Sequence, residues 1–181
     1  AHILEAQPNA AHTALARLES AGRLKGVVTQ NIDGLHGRAG SGRLFEIHGH
    51  LRQATCIACY RSFDTGPMLA SFSQSGAVPR CEACGGVLKP DVVLFGEQLP
   101  QAAVRGAEAL LDSSDLLLIA GSSLEVTPAA LLPQRALRAG ARLIIVNREP
   151  TYLDVRADVV IHQDVIDVLP ALADEVLRER T

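Results

Sequence analysis

"DLLLIAGSSLEVTPAA", residues 115–130, passes from an aspartate through five aliphatic and small residues into a Gly-Ser-Ser turn. A short unbroken apolar run of this kind reads as a strand buried on both faces, because a strand with one wet face alternates polar and apolar residues. After the turn, Thr127 is expected to cap a helix with Pro128 at its first position, ending near Gly140, and Pro133 should bend it. Downstream, "RLIIVN" at 142–147 and "ADVVIH" at 157–162 repeat the buried-strand pattern, and residues 164–179 give a closing helix. Upstream lie a helix over 101–112, a strand at "GVVT", and a helix over 9–21 with Asn9 as N-cap and Gly22 as its stop. Aliphatic strands separated by helices predict an α/β fold, a parallel sheet with helices on both faces.

The bulk numbers agree with a water-exposed globular protein. The chain has 181 residues, 48% of them hydrophobic and 20% charged, enough for one sizeable core or a core plus a small module. Aromatics make up only 3%, so aliphatic packing must carry the interior. A formal net charge of −3 without a basic stripe argues against a nucleic-acid surface. The apolar stretches are short and broken by charge, so none reads as a membrane span. The opening "AHILEAQPNAAH" has no basic region followed by an apolar run, so it does not read as a secretory signal, and a cytoplasmic setting is expected. It also lacks an initiator methionine, which suggests residues upstream.

The cysteines are Cys56, Cys59, Cys81 and Cys84, two CxxC units separated by 21 residues. Two disulfides or one redox-active CxxC are the alternatives to a metal site. Without a secretory signal, and with a core that needs no staples, zinc is the preferred reading. Four thiolates complete a tetrahedron and leave no position for water or substrate, so the zinc would hold structure and do no chemistry. Tyr60, Phe63 and the "CGG" at 84–86 suit two knuckles on a small ribbon, with "SFSQSGAVP" at 71–79 as its loop. The expected organisation is therefore a discontinuous domain, 1–53 and 89–181, with an inserted zinc-ribbon module at 54–88.

Ligands of open parallel α/β sheets bind at the carboxyl ends of the strands. Three such ends are polar here: "TQNIDGLH" from Thr29, "AGSSLEV" from Ala120, and "VNREP" from Val146. Gly121, Ser122 and Ser123 lie where backbone N–H groups and hydroxyls can cradle phosphate or ribose. Asn147 or Glu149 suits ribose hydroxyls. There is no GxGxxG, so either the ligand is not a dinucleotide or that first turn lies outside this chain. A histidine is the natural general base near neutral pH, but chemistry alone does not rank His36, His48 and His50.

Taken in order, "TQNIDGLH", "EIHGH", the paired CxxC units, "KPDVVLFGEQLP", "GSSLEVTPAA" and "IVNRE" resemble the sirtuins, NAD-dependent protein deacylases. The resemblance runs from "QPNAAH" to "VLPALADEV", nearly the whole chain. It implies a Rossmann-like NAD-binding domain, a small structural Zn2+ module, and a cleft between them where NAD meets an acyl-lysine. The amide oxygen of the acyl-lysine would attack the nicotinamide ribose, nicotinamide would leave, and a histidine base would activate a ribose hydroxyl. The acyl group would end on ADP-ribose. The "EIHG" motif makes His48 that base, with Asn31 beside the reacting ribose. Family matching puts Gln30 and Asn31 at the nicotinamide ribose and Ile32 and Asp33 at the carboxamide. Gly121, Ser122, Ser123, Asn147 and Arg148 would hold the adenosine half, with Asp164 and Val165 near adenine. Val93, Phe95, Gly96 and Val126 would line the groove for the acyl-lysine of a protein or peptide partner, added as an extended strand. An apolar groove suits neutral acyl-lysine and penalises a charged lysine.

The sequence departs from the family in three places. The upstream glycine-rich GAG segment and the GIPDFR-like loop are not among these residues, which accounts for the missing GxGxxG; a chain truly starting at Ala1 would bind NAD weakly and turn over little. "HGH" stands where HGN or HGT is more usual, and "IHQDV" differs from the small-residue turn near adenine. The expected activity is deacylation, most simply deacetylation. A mono-ADP-ribosyltransferase or NAD glycohydrolase working in the same cleft, and a catalytically silent zinc-stabilised binding module, are the alternatives.

Overall fold

The computed structural model describes residues 2–178. In chain order the elements are α1 His2–Glu5, α2 Ala10–Ser20, β1 Val27–Thr29, α3 Leu35–Arg38, β2 Leu44–Glu46, β3 Gly49–Cys56, β4 Ser62–Asp64 and α4 Thr65–Ser75. They continue with β5 Leu88–Val92, α5 Gln101–Asp112, β6 Leu116–Ala120, a 3-10 turn Ala129–Leu131, α6 Leu132–Arg138 and β7 Arg142–Val146. A second 3-10 turn Asp154–Arg156, β8 Val159–Ile161 and α7 Val165–Arg178 close the described chain. The residues divide into two compact units. One holds Thr29–Gly34 and Glu46–Gln101; the other holds Gln7–Val28, Leu35–Phe45 and the chain from Ala102 onward. β1 pairs with β2, and the chain passes from one unit to the other within both strands.

The larger unit is built on the parallel sheet β6-β7-β8. Successive β7 residues point to opposite faces, as the two-residue period of a strand requires. Val146 packs with Ala11, Ala14 and Leu18 of α2 and Leu169 and Ala173 of α7, joined by Ile144. Leu143 and Ile145 pack on the opposite side with Ile119, Leu124, Ala130, Leu153 and Leu137. Both faces are thus covered, which is why the strands read as unbroken aliphatic runs. The small side chains of α2 let it lie close to α7, and Arg17 reaches Asp174 across the pair at 2.8 Å.

Asn9 caps α2 by accepting from the N–H groups of Ala11 and His12. The helix expected from Pro128 to near Gly140 is broken into two pieces. Thr127 makes no cap; Pro128 precedes the 3-10 turn, and α6 starts only at Leu132. Pro133 therefore sits in the first turn of α6, where its missing N–H has no partner to lose, and it does not bend a helix interior. The closing helix ends in the described residues at Arg178, and residue 179 of the expected span lies outside them.

The cysteine-bearing unit contains the antiparallel sheet β4-β3-β5 and is larger than residues 54–88, which lie wholly within it. The loop expected at 71–79 is helical as far as Ser75, because α4 is well capped. Asp64 accepts from the Gly66 N–H at 2.8 Å, and Gly76 stops the helix in the left-handed region at φ 68°. The Asp-Thr-Gly-Pro start and the Gly stop were the legible signals.

Candidate active site

Cys56, Cys59, Cys81 and Cys84 converge so that their sulfurs all lie within 4.8 Å of one another. Cys56 and Cys84 lie 3.5 Å apart and Cys59 and Cys81 3.6 Å, too far for S–S bonds, and all four cysteines are free. A tetrahedron with Zn–S near 2.3 Å has edges of about 3.8 Å, so the four thiols fit zinc. Two equivalent knuckles produce the arrangement. Cys56 N–H donates to Arg61 O at 2.9 Å and Tyr60 N–H to Cys56 O at 3.0 Å. Cys81 N–H donates to Gly86 O at 2.7 Å and Gly85 N–H to Cys81 O at 2.8 Å. Tyr60 and Gly85 occupy the same step and both take positive φ, 60° and 73°. Gly86 is required by space, since a Cβ there would lie 2.8 Å from the Cys56 sulfur. Backbone N–H groups of Cys59 and then Ala58 draw the Cys56 thiol down to about 6. The Gly86 N–H also pulls on Cys84, but hydrogen bonds with Cys59 and Cys56 push that thiol up to about 12.

The same unit carries the polar end of β1. Ile47 N–H donates to Thr29 O at 3.0 Å and Leu51 N–H to Ile32 O at 3.1 Å, so the segment after Thr29 is stitched to β3. The Thr29 hydroxyl accepts the Asn31 N–H at 3.1 Å, turning the chain so that Asn31 is exposed while Gln30, Ile32 and Asp33 are half-buried. Two residues before His48, Glu46 grips Arg52 through both carboxylate oxygens at 2.7 and 2.5 Å. The Arg52 guanidinium lies 3.4 Å from where a Gly34 side chain would begin, closing the loop from behind.

Geometry separates the three histidines that chemistry left unranked. The His48 ring Nδ1 lies 3.2 Å from the Gln30 carbonyl oxygen, which can only accept. In the neutral ring Nδ1 therefore carries the proton and Nε2 keeps its lone pair. The backbone is pinned too, with Val93 N–H donating to His48 O at 2.9 Å. His36 belongs to the other unit and its ring lies 4.7 Å from that of His12. His50 has its Nδ1 buried, without a hydrogen bond among the described residues.

The "VVLFGE" segment follows β5 and forms a tight turn. Glu97 N–H donates to Leu94 O, and the Glu97 carboxylate accepts from Leu94 N–H and from Lys89, all at 3.0 Å. The Leu94 N–H, then Lys89, hold the Glu97 carboxyl below its usual range. The turn leaves Phe95 fully exposed and puts Gly96 at φ 89°, with Val93 half-buried beside them. Val126, in the other unit, is exposed.

At the carboxyl edge of β6-β7-β8 the remaining candidates meet. Gly121 N–H donates to Val146 O at 3.0 Å and Asn147 N–H to Ile161 O at 3.1 Å, so the three strand ends lie side by side. Gly121 takes φ 61° and faces Val165. Ser122 accepts the Leu124 N–H at 3.3 Å and keeps its own proton to donate. Buried Asn147 donates its amide to Glu149 O at 2.7 Å, leaving its side-chain oxygen as an acceptor. Arg148 is bound to Asp164, which also caps α7 through Ile166 N–H at 3.0 Å. That N–H, then Arg148, hold the Asp164 carboxyl below its usual range. Small residues, hydroxyls and an amide form a donor set that fits the ribose and phosphates of a dinucleotide. Sequence reasoning missed the contacts of His162, whose Nδ1 lies 3.1 Å from Asn147 O and whose Nε2 lies 3.4 Å from Asp154. The Thr151-x-x-Asp154 spacing that starts the second 3-10 turn was its only trace.

A sequence model of the Sir2 family matches residues 1–128. An NAD-dependent protein deacetylase of Sulfolobus acidocaldarius is 47% identical over 174 residues, 96% of this chain and 68% of that protein. NAD-dependent protein deacylase 2 of Archaeoglobus fulgidus is 46% identical over 179 residues, 98% of this chain and 70% of the relative. A solved structure of Sir2 with a p53 peptide and NAD+ superposes with a TM-score of 0.89 at 39% identity, covering 98% of this chain and 72% of that one. The chain belongs to the Sir2 family.

Proposed function

We propose that the protein removes acyl groups, acetyl above all, from lysine side chains of proteins in an NAD-dependent reaction. Nicotinamide, free lysine and O-acyl-ADP-ribose would be the products. The observation that carries the reading is the His48 ring, locked through Nδ1 onto the Gln30 carbonyl so that Nε2 stands as a base, in a chain 47% identical to an NAD-dependent protein deacetylase.

NAD is a co-substrate that supplies an electrophilic ribose carbon. In this reading the unit bearing His48 serves the nicotinamide end. Gln30 and Asn31 orient the ribose, Ile32 and Asp33 take the carboxamide, and His48 Nε2 removes a proton from a ribose hydroxyl. Neutral and anionic groups suit the cationic character that develops there better than lysine or arginine would. Gly121, Ser122, Ser123, Asn147, Arg148, Asp164 and Val165 serve the adenosine end. Val93, Phe95, Gly96 and Val126 accept the acyl-lysine stem, and the bare Phe95 ring gains the most from being covered. Cys56, Cys59, Cys81 and Cys84 hold a structural zinc and keep the His48 unit folded. No helix among the described residues is long and apolar enough to cross a membrane. Reduced thiolates and an NAD requirement suit the cytoplasm, and the net charge of −3 suits a protein partner better than a nucleic acid.

Mass spectrometry of an acetylated peptide incubated with the complete protein and NAD tests the reading. Unmodified lysine together with acetyl-ADP-ribose is expected. ADP-ribosylated peptide, or NAD consumed without peptide change, would replace deacylation by the transferase or glycohydrolase chemistry.

A further inference from the structure

At the carboxyl edge of a nucleotide-binding sheet an acidic residue takes the hydroxyls of the adenosine ribose, whereas an arginine nearby accommodates a 2′-phosphate. This edge offers both, Glu149 and Arg148, in adjacent positions. What decides between the two dinucleotides is therefore whether the arginine is available.

It is engaged. The Arg148 guanidinium donates to one oxygen of Asp164, and the other oxygen is fixed by the Ile166 N–H at 3.0 Å. Because Asp164 caps α7, it cannot swing away with the arginine. The neighbouring His162 ring is held in a similar way. His162 Nε2 lies 3.4 Å from Asp154 Oδ2, while Asp154 Oδ1 accepts from Thr151 N–H at 3.1 Å and its hydroxyl at 2.6 Å. Each carboxylate is anchored by local backbone before it meets its partner. Glu149 stands exposed beside them.

We propose that this edge selects NAD over NADP by neutralising its own arginine, with Asp164 as the specificity-determining residue that withholds Arg148 from a 2′-phosphate. The proposal rests on the NAD reading above and extends it to a choice between two co-substrates. A doubly charged phosphate arriving at the ribose would meet Glu149 and an arginine already paired with Asp164, whereas a ribose hydroxyl needs only the acceptors already in place.

Asp164→Asn isolates the effect, since asparagine caps a helix about as well as aspartate but no longer holds an arginine. Dissociation constants for NAD and NADP would be measured by calorimetry on the complete protein at low salt, alongside kcat/KM with an acetyl-lysine peptide. Asp164→Asn should shift the NAD-to-NADP affinity ratio toward NADP by roughly tenfold, the scale of one charge acting on a phosphate through solvent. The shift should shrink as salt is raised. Adding Arg148→Gln to Asp164→Asn should remove the gain, because the released arginine is its source. Arg148→Gln alone, a change in a side chain that is 73% exposed, should move the ratio the other way by baring Asp164. A ratio within twofold of wild type in Asp164→Asn, or a gain that survives in the double variant, would overturn the proposal. So would a wild type that binds both dinucleotides equally, or neither. Wild type that binds NAD selectively yet leaves the peptide acetylated would instead overturn deacylation and leave the selectivity standing.

Discussion

Replacing His48 by alanine tests the centre of the proposed mechanism with little collateral damage to the fold. The bond from Val93 N–H to His48 O is made by backbone and survives the change, so β3 and the "VVLFGE" segment stay joined. What is lost is the ring, with its Nδ1 contact to Gln30 O at 3.2 Å and its Nε2 lone pair. Removing a positioned general base costs roughly 10²–10⁴ in rate, or about 3–5.5 kcal/mol of transition-state stabilisation. The stability cost should be about 1 kcal/mol, the net worth of one half-buried hydrogen bond. The assay is acetyl-lysine turnover by mass spectrometry with calorimetric NAD binding on the same samples. A kcat reduced at least a hundredfold with NAD affinity within about threefold of wild type is the expected split. A His48→Gln variant controls for volume: it fills the space and can donate to Gln30 O but offers no base of suitable strength, so it should be as slow as alanine. Turnover within tenfold of wild type in either variant would refute His48 as the base. Loss of NAD binding in parallel with rate would show instead that the ring builds the site.

Cys59→Ser should abolish stoichiometric zinc and unfold the β4-β3-β5 unit, because three thiolates leave the tetrahedron open; metal analysis giving one zinc per chain in the variant would refute the four-thiolate site. Gly49→Ala puts a Cβ 2.0 Å from Asp91 O at a position with φ 75°, so β3 and β5 must separate beside His48. Loss of soluble, cooperatively unfolding protein is expected, and a melting temperature unchanged within about 2 °C would refute the close approach. Asp158 is held below the usual carboxylate range by the Leu143 N–H first and Arg142 second. Its depressed folded-state value means that its contribution is present above the unfolded value, about 3.9, and is lost as pH falls through the folded one. The stability gap between wild type and Asp158→Asn in denaturant titrations should therefore narrow below about pH 4, and a gap that widens would refute the assignment.

The sheet was legible because burial on both faces leaves an unmistakable mark: "LLLIA" and "RLIIV" admit few other readings, and each lies where expected. The convergence of the four cysteines was equally open to reading, since ligand chemistry constrains residue type and spacing together. Helix capping was legible only in part. Asn9 was recognised, but Asp64 was overlooked because the "SFSQS" after it looks like a loop when its start signal is ignored. Thr127-Pro128 misled because two prolines five residues apart both demand a first-turn position, and one continuous helix offers only one. The partners of the candidate site residues were hardest to find, for a reason of a different kind. A hydrogen bond from His48 to the carbonyl of Gln30 spans 18 residues and uses a backbone atom that every residue possesses. The hold of Asp164 on Arg148 spans 16, between two strand ends that only the parallel register brings together. Sequence names the groups that can do chemistry; which nitrogen holds the proton, and which cation is already taken, are properties of the sheet that assembles them.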